Sequence, residues 1–341
     1  MKLPSPLIRH GVFAPLILAV EFGLIVFAPA LAVASALLSL LFGGRRPVRL
    51  LALILTWATT HIASVGAMLL LARSGTHTHY GVMRWFVGTI SRAALRIARV
   101  RVEIRDSAAA EAVLAARQTP VLALSVHSGE GDSLLVLDML LRRHKRNPRI
   151  VMHQALALDP LIGMLGNRLP NRFIDPRGGD IEVEIAAMSR DLGPTDAVLI
   201  FPEGGNFTTE RRKRSIERLL HRGHTEQAEQ AERMTNLSAP RPGGALAALE
   251  SAPDADVVFF AHHGFPDGFG QVWRELPERT PILVQLWHVP AGEIPAGTED
   301  RISWLFAWWE TLDAWVGEQR AAQAQASSMA TRRATAAGRV R

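Results

Sequence analysis

Two short polar motifs, each placed directly after an apolar run, constrain this chain more than any other feature. His127-Ser-Gly-Glu-Gly-Asp132 follows the apolar run 121–126, and Phe201-Pro-Glu-Gly204 follows the run 197–200. A short apolar run that ends in a glycine-containing polar motif is typical of a buried strand that ends in a loop. In an open α/β sheet, ligands bind in the crevice at the carboxyl ends of the strands. We therefore expect both motifs to lie at a ligand-binding edge of a sheet.

Strand and helix signals alternate through the rest of the chain, which predicts an α/β fold with a largely parallel sheet and flanking helices. Tryptophan and leucine recur at helical spacing between residues 302 and 318, and we interpret them as core packing. Residues 208–238 are highly charged and predict a helix followed by an exposed loop. Strands are predicted near residues 120–126, 149–152, 172–175, 197–201, 256–261 and 281–287. Further helices are predicted near 84–101, 107–117, 132–145, 155–166, 181–192 and 244–251.

Two long apolar stretches open the chain. Residues 22–42 carry no charge, and residues 50–72 contain only His61 as an ionisable group. A spanning helix needs roughly 20 mostly apolar residues, whereas a signal peptide has a shorter apolar core. We predict a membrane hairpin over residues 1–75; two buried helices of a soluble domain are the alternative. Arginines flank the second stretch on both sides, which favours a re-entrant or in-plane hairpin with the rest of the chain on the cytoplasmic face.

Composition limits the partners and the chemistry. The 341 residues include no cysteine, so disulfides and thiolate metal sites are excluded. Lys+Arg of 38 against Asp+Glu of 32 gives 38 − 32 = +6, which favours anionic partners. No nucleic-acid-binding module is recognisable, so nucleic acid is not predicted as a partner. The basic clusters 142–146 and 211–214 fit a solvated helix face equally well.

Two further negative expectations follow from local sequence. The pairs His77-Thr-His79 and His262-His263 lack a carboxylate at ligand spacing, so no metal site is predicted. The tail 321–341 consists mostly of Ala, Ser, Gln and Arg, with almost no large apolar residue. Such a composition cannot bury enough apolar surface to order a chain, and we predict a disordered tail.

The histidine motif with its aspartate five residues on, followed by Phe-Pro-Glu-Gly, resembles the glycerophospholipid acyltransferases, which include the 1-acylglycerol-3-phosphate acyltransferases. The resemblance covers roughly residues 76–320, which we assign as an acyltransferase domain. Arg172-Phe-Ile-Asp-Pro-Arg177 lies between the two motifs, where the family has a phenylalanine-isoleucine segment and an arginine. The resemblance implies membrane phospholipids and lysophospholipids as partners. It also implies acyl-CoA or acyl-carrier protein as co-substrate, with no cofactor.

The residues of the first motif suit the implied reaction. A hydroxyl needs a base with a pKa near 7 to attack a thioester, and His127 is the candidate. Asp132 would fix the tautomer of the imidazole and stabilise its protonated form. Backbone N–H groups at the start of the following helix are candidate donors to the oxyanion.

The remaining candidate residues bind substrate. The resemblance implies that Phe201, Pro202, Glu203 and Gly204 form a turn at the acceptor site. Arg172 and Arg177 are candidate phosphate ligands, because a guanidinium matches phosphate geometry in a bidentate way.

One departure from the family concerns the acceptor. The glycerol-3-phosphate and lysophosphatidate enzymes continue Phe-Pro-Glu-Gly with Thr-Arg-Ser, but Asn206 stands where they carry arginine. This departure favours a lysophospholipid with a diester headgroup over lysophosphatidate. The alternative is that Arg177 or the 211–214 cluster supplies the missing charge in space.

Two other classes of function remain as rivals. Gly131-Asp132-Ser133-Leu134 spells the motif of the GDSL esterases, with Ser133 as nucleophile. That class also needs an Asp-x-x-His pair, which the chain lacks. A non-catalytic lipid-binding scaffold is the second rival, although intact His127, Asp132 and Glu203 argue against it.

Overall fold

A seven-stranded, mostly parallel sheet forms the centre of the molecule. The computed structural model describes residues 4–43, 45–129, 131–175, 178, 181–266, 269–276 and 280–338. The strands run in the order β1-β7-β6-β2-β5-β3-β4. All neighbours pair in parallel except β6 and β7, which are antiparallel. The strands are β1 Val102–Arg105, β2 Val121–Ser125, β3 Asn147–His153, β4 Arg172–Ile174, β5 Asp196–Ile200, β6 Asp256–His263 and β7 Ile282–Val289.

Helices cover both faces of the sheet and precede it. Helix α6 continues into a π-helical turn, Met139–Arg143, and short 3₁₀ turns lie at Gln154–Leu158 and Ala291–Glu293. The helices before the sheet are α1 Pro6–Val26, α2 Ala28–Phe42, α3 Arg46–Leu70 and α4 Thr76–Ala98. Those within and after it are α5 Ala108–Ala116, α6 Asp132–Asp138, α7 Pro160–Arg168, α8 Ile181–Met188, α9 Thr209–His221, α10 Thr225–Arg233, α11 Pro242–Ser251, α12 Phe269–Glu275 and α13 Thr298–Gly338.

The α/β architecture predicted from the alternating pattern is confirmed, including all six predicted strands. The sequence pattern missed β1, whose residues alternate between half-buried and exposed and so give no apolar run. The stretch 208–238 holds two helices, α9 and α10, rather than one helix and a loop. The apolar stripe of α13 is core: Trp309 and Leu312 are fully buried, and Phe259 of β6 stacks on Trp308.

The last helix does not end where the sequence predicted. Residues 321–338 continue α13 to Gly338, in place of the disordered tail expected for 321–341. Alanine, glutamine and arginine are good helix formers, and extending an existing helix avoids the cost of nucleation. The composition argument considered the segment alone and so missed the packed helix that precedes it.

Two of the N-terminal helices, α1 and α3, are long and apolar enough to cross a membrane by length and composition. The predicted first stretch, 22–42, is divided between α1 and α2, because the chain turns at Phe27 before Pro29. Many large apolar side chains of α1 and α2 are exposed, which suggests membrane association. They include Leu7, Leu16, Val20, Phe22, Val33, Leu37, Leu40 and Leu41.

The second apolar helix, α3, also belongs to the core of the protein. Val65 and Met68 of α3 pack in one buried cluster with Tyr80 and Phe86 of α4 and Leu161 of α7. An arginine of α7, Arg168, also donates a hydrogen bond to the carbonyl oxygen of Met68. The C-terminal half of α3 therefore packs on the α/β part of the molecule.

The basic cluster 142–146 is not a free cationic surface. Arg142 forms an ion pair with Asp138, and Arg143 forms one with Glu111. Arg146 is fully buried and donates to four backbone carbonyl oxygens at the amino-terminal end of the sheet, those of Val113, Leu114, Thr119 and Pro194. Burial lowers the pKa of Arg146 to about 10.

The packing of α3 predicts that Met68→Ala destabilises the enzyme, although Met68 lies within the predicted membrane hairpin. Truncation of a fully buried methionine leaves a cavity, and we expect the free energy of unfolding to fall by about 2–5 kcal/mol. Chemical denaturation of the detergent-solubilised protein measures the change. Leu70→Ala is the matched control, because Leu70 is 88% exposed on the same helix and should change stability little. Equal effects of the two variants would contradict the packing of α3 on the enzyme.

Candidate active site

The two sequence motifs meet because their strands are neighbours. Strands β2 and β5 pair in parallel with Leu124 opposite Ile200, so His127 and Phe201 leave the sheet at the same edge. On the other side of β2, parallel β6 places Phe260 opposite Ser125, so His262 reaches this edge too. The connection from β2 leads to one side of the sheet and that from β5 to the other. The motifs thus lie at a topological switch point, where open α/β sheets bind ligands.

His127 and Asp132 form a hydrogen-bonded pair. The Nδ1 atom of His127 lies 2.9 Å from Oδ2 of Asp132, and the carboxylate is buried. The short connection is possible because Gly131, directly before helix α6, adopts φ +95°, a conformation that favours glycine. Asp132 therefore begins α6 with its side chain turned back towards the histidine.

Backbone donors hold the carboxylate of Asp132 in place. Oδ2 accepts from the N–H groups of Ser128 and Gly129, and Oδ1 accepts from the N–H and hydroxyl groups of Ser133. Burial alone would raise the pKa of Asp132. The bond from His127, the nearby charge of His262 and the backbone donors outweigh that effect, and the pKa lies below its usual value.

These bonds bear on the predicted oxyanion donors. Of the N–H groups at the start of α6, that of Ser133 is engaged by Asp132, as are those of Ser128 and Gly129 in the preceding loop. These three groups are not free to stabilise a developing oxyanion, and the role of the helix start otherwise stays a prediction. The hydroxyl of Ser133 also donates to Asp132, and it has no histidine partner in the described part of the chain. A serine nucleophile needs an adjacent base, so this geometry gives the esterase alternative no support.

The second motif fixes the position of His127. Oε1 of Glu203 accepts a hydrogen bond from the backbone N–H of His127 at 2.9 Å. The carbonyl oxygen of His127 accepts one from the N–H of Phe207 at 2.8 Å. The ring of Phe201 lies against the imidazole, with 4.6 Å between the ring centroids. The histidine is thus held through its backbone and its ring by the segment that follows β5.

Glu203 joins a third segment to this arrangement. Its Oε2 atom accepts from the N–H of Ser238 at 2.9 Å. The residues just before Ser238 are held in turn by Asp313 of α13, which accepts from the N–H groups of Asn236 and Leu237. Burial raises the pKa of Glu203 to about 8, although the two backbone donors favour its ionised form. Glu203 was predicted to bind substrate, but the contacts of its carboxylate are with backbone groups of the enzyme.

Sequence reasoning set His262 aside after finding no metal pattern around it, yet the structure places it beside the catalytic pair. Its Nδ1 atom lies 3.0 Å from the hydroxyl of Ser128, and its Nε2 atom lies 3.1 Å from the carbonyl oxygen of Val126. Burial lowers the pKa of His262, which favours the neutral ring. When the neutral ring donates from Nε2 to the carbonyl oxygen of Val126, its Nδ1 atom accepts a hydrogen bond from the hydroxyl of Ser128. An apolar strand ending in two histidines was the only signal in the sequence.

A cavity of about 540 Å³, here the His127 cavity, opens beside the catalytic pair. The imidazole of His127 lines it, and its Nε2 atom has no hydrogen-bond partner among the described residues. Phe201, Pro202 and Gly204 of the second motif line it as well. Much of the remaining wall is apolar, formed by Val151, Met152, Ile174, Ile181, Ile185 and Ile200.

The predicted phosphate ligands are placed differently from expectation. Arg172 does not line the His127 cavity. Its Nε atom forms an ion pair with Glu184 at 3.0 Å. On β4, Arg172 precedes the cavity-lining residue Ile174 by two positions, or about 6.6 Å along the strand. Arg177 lies outside the described residues, so its predicted contact stays a prediction.

Two other arginines stand beside the second motif instead. Arg211 and Arg241 line the His127 cavity together with Asn206. The Arg211 guanidinium lies so close to Gly205 that a Cβ atom there would be 1.6 Å from Nη1. Arg211 and Arg241 therefore place positive charge in the same cavity as Asn206, where related enzymes carry an arginine in the motif itself. One of them, Arg211, belongs to the cluster that the sequence had left as an alternative.

The site thus consists of a histidine held by a buried carboxylate, next to a largely apolar cavity that two arginines also line. Residues 99–258 match the family model described as Acyltransferase. The match covers 160 of the 341 residues and identifies this part of the chain as a domain of the glycerophospholipid acyltransferase type, so the protein is an acyltransferase. A comparison with curated proteins finds no match.

The raised pKa of Glu203 predicts a pH-dependent contribution to stability. The folded state keeps the proton up to about pH 8, whereas an unperturbed glutamate loses it near 4.5. The stabilisation that protonated Glu203 provides is therefore fully present below the unfolded-state pKa of 4.5 and is lost as the pH rises through the folded-state pKa of about 8. The stability of the wild type relative to Glu203→Gln should fall between about pH 5 and pH 8.5. Denaturant titrations of both proteins measure this, and a constant difference would contradict the raised pKa.

Proposed function

We propose that the enzyme transfers a fatty acyl group from acyl-CoA or acyl-carrier protein to the hydroxyl of a lysophospholipid. His127 acts as the general base and Asp132 orients it. The observation that carries this proposal is the bond between Nδ1 of His127 and the Asp132 carboxylate. That bond leaves Nε2 unprotonated in the neutral ring, next to the cavity where a hydroxyl can approach.

The reaction follows from this geometry. Nε2 of His127 takes the proton of the acceptor hydroxyl while its oxygen attacks the thioester carbonyl carbon. The tetrahedral intermediate then collapses, the carbon–sulfur bond breaks, and the leaving thiolate receives the proton from His127. Asp132 stabilises the imidazolium between the two steps. The acceptor hydroxyl takes the place of a serine nucleophile, so no covalent acyl-enzyme is required.

The oxyanion of the intermediate needs donors other than those engaged by Asp132. The backbone N–H groups of Gly205 and Asn206 have no acceptor among the described residues, and both residues line the His127 cavity. We assign the oxyanion to these groups, which follow the second motif rather than the first.

The acceptor phosphate binds Arg211 and Arg241. Both guanidinium groups line the His127 cavity, and a charge-assisted bond of this kind contributes about 1.5–3 kcal/mol. These two arginines supply the charge that Asn206 lacks. The preference for a diester headgroup over lysophosphatidate therefore loses its sequence argument, and 1-acylglycerol-3-phosphate remains an alternative acceptor.

The acyl chains and the membrane fit the same arrangement. The isoleucines of the His127 cavity provide an apolar surface for an acyl chain. The exposed apolar side chains of α1 and α2 suit contact with lipid, from which a lysophospholipid would be drawn. We place the catalytic part on the cytoplasmic face, because acyl-CoA and acyl-carrier protein are made there.

The proposal predicts that His127→Ala lowers acyl transfer by about 10²- to 10⁴-fold, the usual cost of losing a general base. Asp132→Asn should also lose activity, because the amide no longer fixes the tautomer of the imidazole. Purified protein, labelled acyl-CoA and a panel of lysophospholipids, with products identified by mass, provide the measurement. His77→Ala is the control, since His77 is an exposed histidine far along the chain from both motifs.

Two results would count against the mechanism. Near-normal turnover of a folded His127→Ala protein would exclude His127 as the base. Complete loss of activity in Ser133→Ala, together with labelling of Ser133 by a fluorophosphonate probe, would favour the esterase. We expect Ser133→Ala to lose no more than a few-fold, because Asp132 keeps its other donors.

A further inference from the structure

A second cavity lies behind the second motif. It has a volume of about 510 Å³ and shares Arg211 and Arg241 with the His127 cavity. Two more arginines, Arg214 and Arg218, line this second cavity only. We call it the arginine cavity. The proposed transfer reaction uses Arg211 and Arg241 and leaves Arg214 and Arg218 without a role.

The spacing of the arginines on α9 sets how far the positive charge extends along the cavity. Arg211, Arg214 and Arg218 stand at intervals of three and four residues, so they share one face of the helix. Between Arg211 and Arg218 the helix rises by about 10 Å. Positive charge therefore extends from the second motif, beside the reaction site, to a point well beyond the reach of one phosphate group.

The protein does not neutralise these charges. None of the four arginines forms an ion pair with a carboxylate of the described residues, whereas Arg142, Arg143 and Arg172 all do. Arg212, which lies between Arg211 and Arg214 in sequence, faces away from the cavity and donates to the carbonyl oxygens of Glu232 and Met234.

Two carboxyl groups also line the cavity, and both have other partners. Glu203 is held by backbone N–H groups, and Asp175 accepts a hydrogen bond from Gln154. Partial burial and the nearby charges of Arg218 and Arg211 lower the pKa of Arg241. Four arginines face two carboxyl groups in the cavity wall, so the cavity keeps a net positive charge that favours an anion.

We propose that the arginine cavity binds a second phosphate group of a substrate whose first phosphate lies between Arg211 and Arg241. The ligand class is a substrate with two phosphate groups about 5–10 Å apart, the spacing that the rise of α9 from Arg211 to Arg214 and Arg218 sets. This inference rests on the proposed function, which places the first phosphate. Two sources have this chemistry: an acceptor lipid whose headgroup carries two phosphates, as the proposed function requires, and the nucleotide part of a CoA thioester, which would place a donor phosphate at Arg211 and Arg241 instead of the acceptor phosphate.

The test compares substrates that differ by one phosphate group. Monolysocardiolipin carries two phosphodiesters and lysophosphatidylglycerol carries one; acyl-CoA carries a 3′-phosphate that acyl-dephospho-CoA lacks. The variant is Arg214→Gln with Arg218→Gln. The control is Lys213→Gln, which removes a charge from the same helix at a residue that does not line the cavity.

We expect the double variant to raise KM about tenfold, equivalent to ~1.4 kcal/mol, for the more phosphorylated member of one pair. The KM of the less phosphorylated member and kcat should not change, because the lost contact is made equally in the ground state and the transition state. The pair that responds identifies the source of the second phosphate. Equal KM changes for both members of both pairs, or an equal effect of Lys213→Gln, would overturn the proposal.

Binding without turnover separates this inference from the proposed function. Bis(glycerophospho)glycerol and glycerophosphoglycerol are the deacylated headgroups of the two acceptors, and adenosine 3′,5′-bisphosphate and AMP represent the donor. The doubly phosphorylated compound of one pair should bind the full-length wild type more tightly, lose that advantage in the double variant, and bind less tightly as salt increases. If no acceptor is acylated but this pattern holds, the proposed function fails and the anion site stands. If neither doubly phosphorylated compound binds in preference, the anion site is refuted.

Discussion

The buried carboxylate of Glu203 is the contact on which the active site depends. It joins the segment after β2, the turn after β5 and the segment before α11, by accepting the N–H groups of His127 and Ser238. Burying a carboxylate is costly, and the raised pKa expresses that cost. Loss of the acceptor would leave two buried donors unpaired, which costs about 1–3 kcal/mol each. The position of the catalytic histidine is therefore tied to the second motif by backbone hydrogen bonds that any residue at position 127 would make.

The carboxyl groups of Asp132 and Glu203 are both buried beside His127, but they have different roles because their surroundings differ. Asp132 receives a side-chain bond from His127 and several backbone bonds, and its pKa is lowered. It therefore stays ionised and can stabilise an imidazolium. Glu203 meets only two backbone donors in a fully buried position, and its pKa is raised. The geometry makes the first carboxylate part of the proposed chemistry and the second a positioning group.

Five arginines of this chain illustrate three different environments for the same side chain. Arg146 is buried and binds backbone carbonyl oxygens at the far end of the sheet. Arg142 and Arg172 form ion pairs on the surface. Arg211 and Arg241 face cavities without a carboxylate partner among the described residues. A net charge of +6 records none of these differences, and of these five arginines Arg211 and Arg241 are the ones that face a cavity beside His127.

The sequence by itself determined the α/β class, the two motifs at strand ends, the pairing of His127 with Asp132 and the apolar character of the N-terminal helices. Each of these follows from short-range patterns: apolar runs of strand length, a five-residue spacing and helix-length apolar stretches. The tertiary structure alone decided the roles of His262, Arg241 and Ser238, the burial of Glu203, the ion pair of Arg172 and the packing of α3 on the enzyme. Those contacts include residues 12 positions apart, as in Arg172 and Glu184, and residues 134 positions apart, as in Ser128 and His262. Strand order and helix packing set such contacts, and no local spacing in the sequence records them.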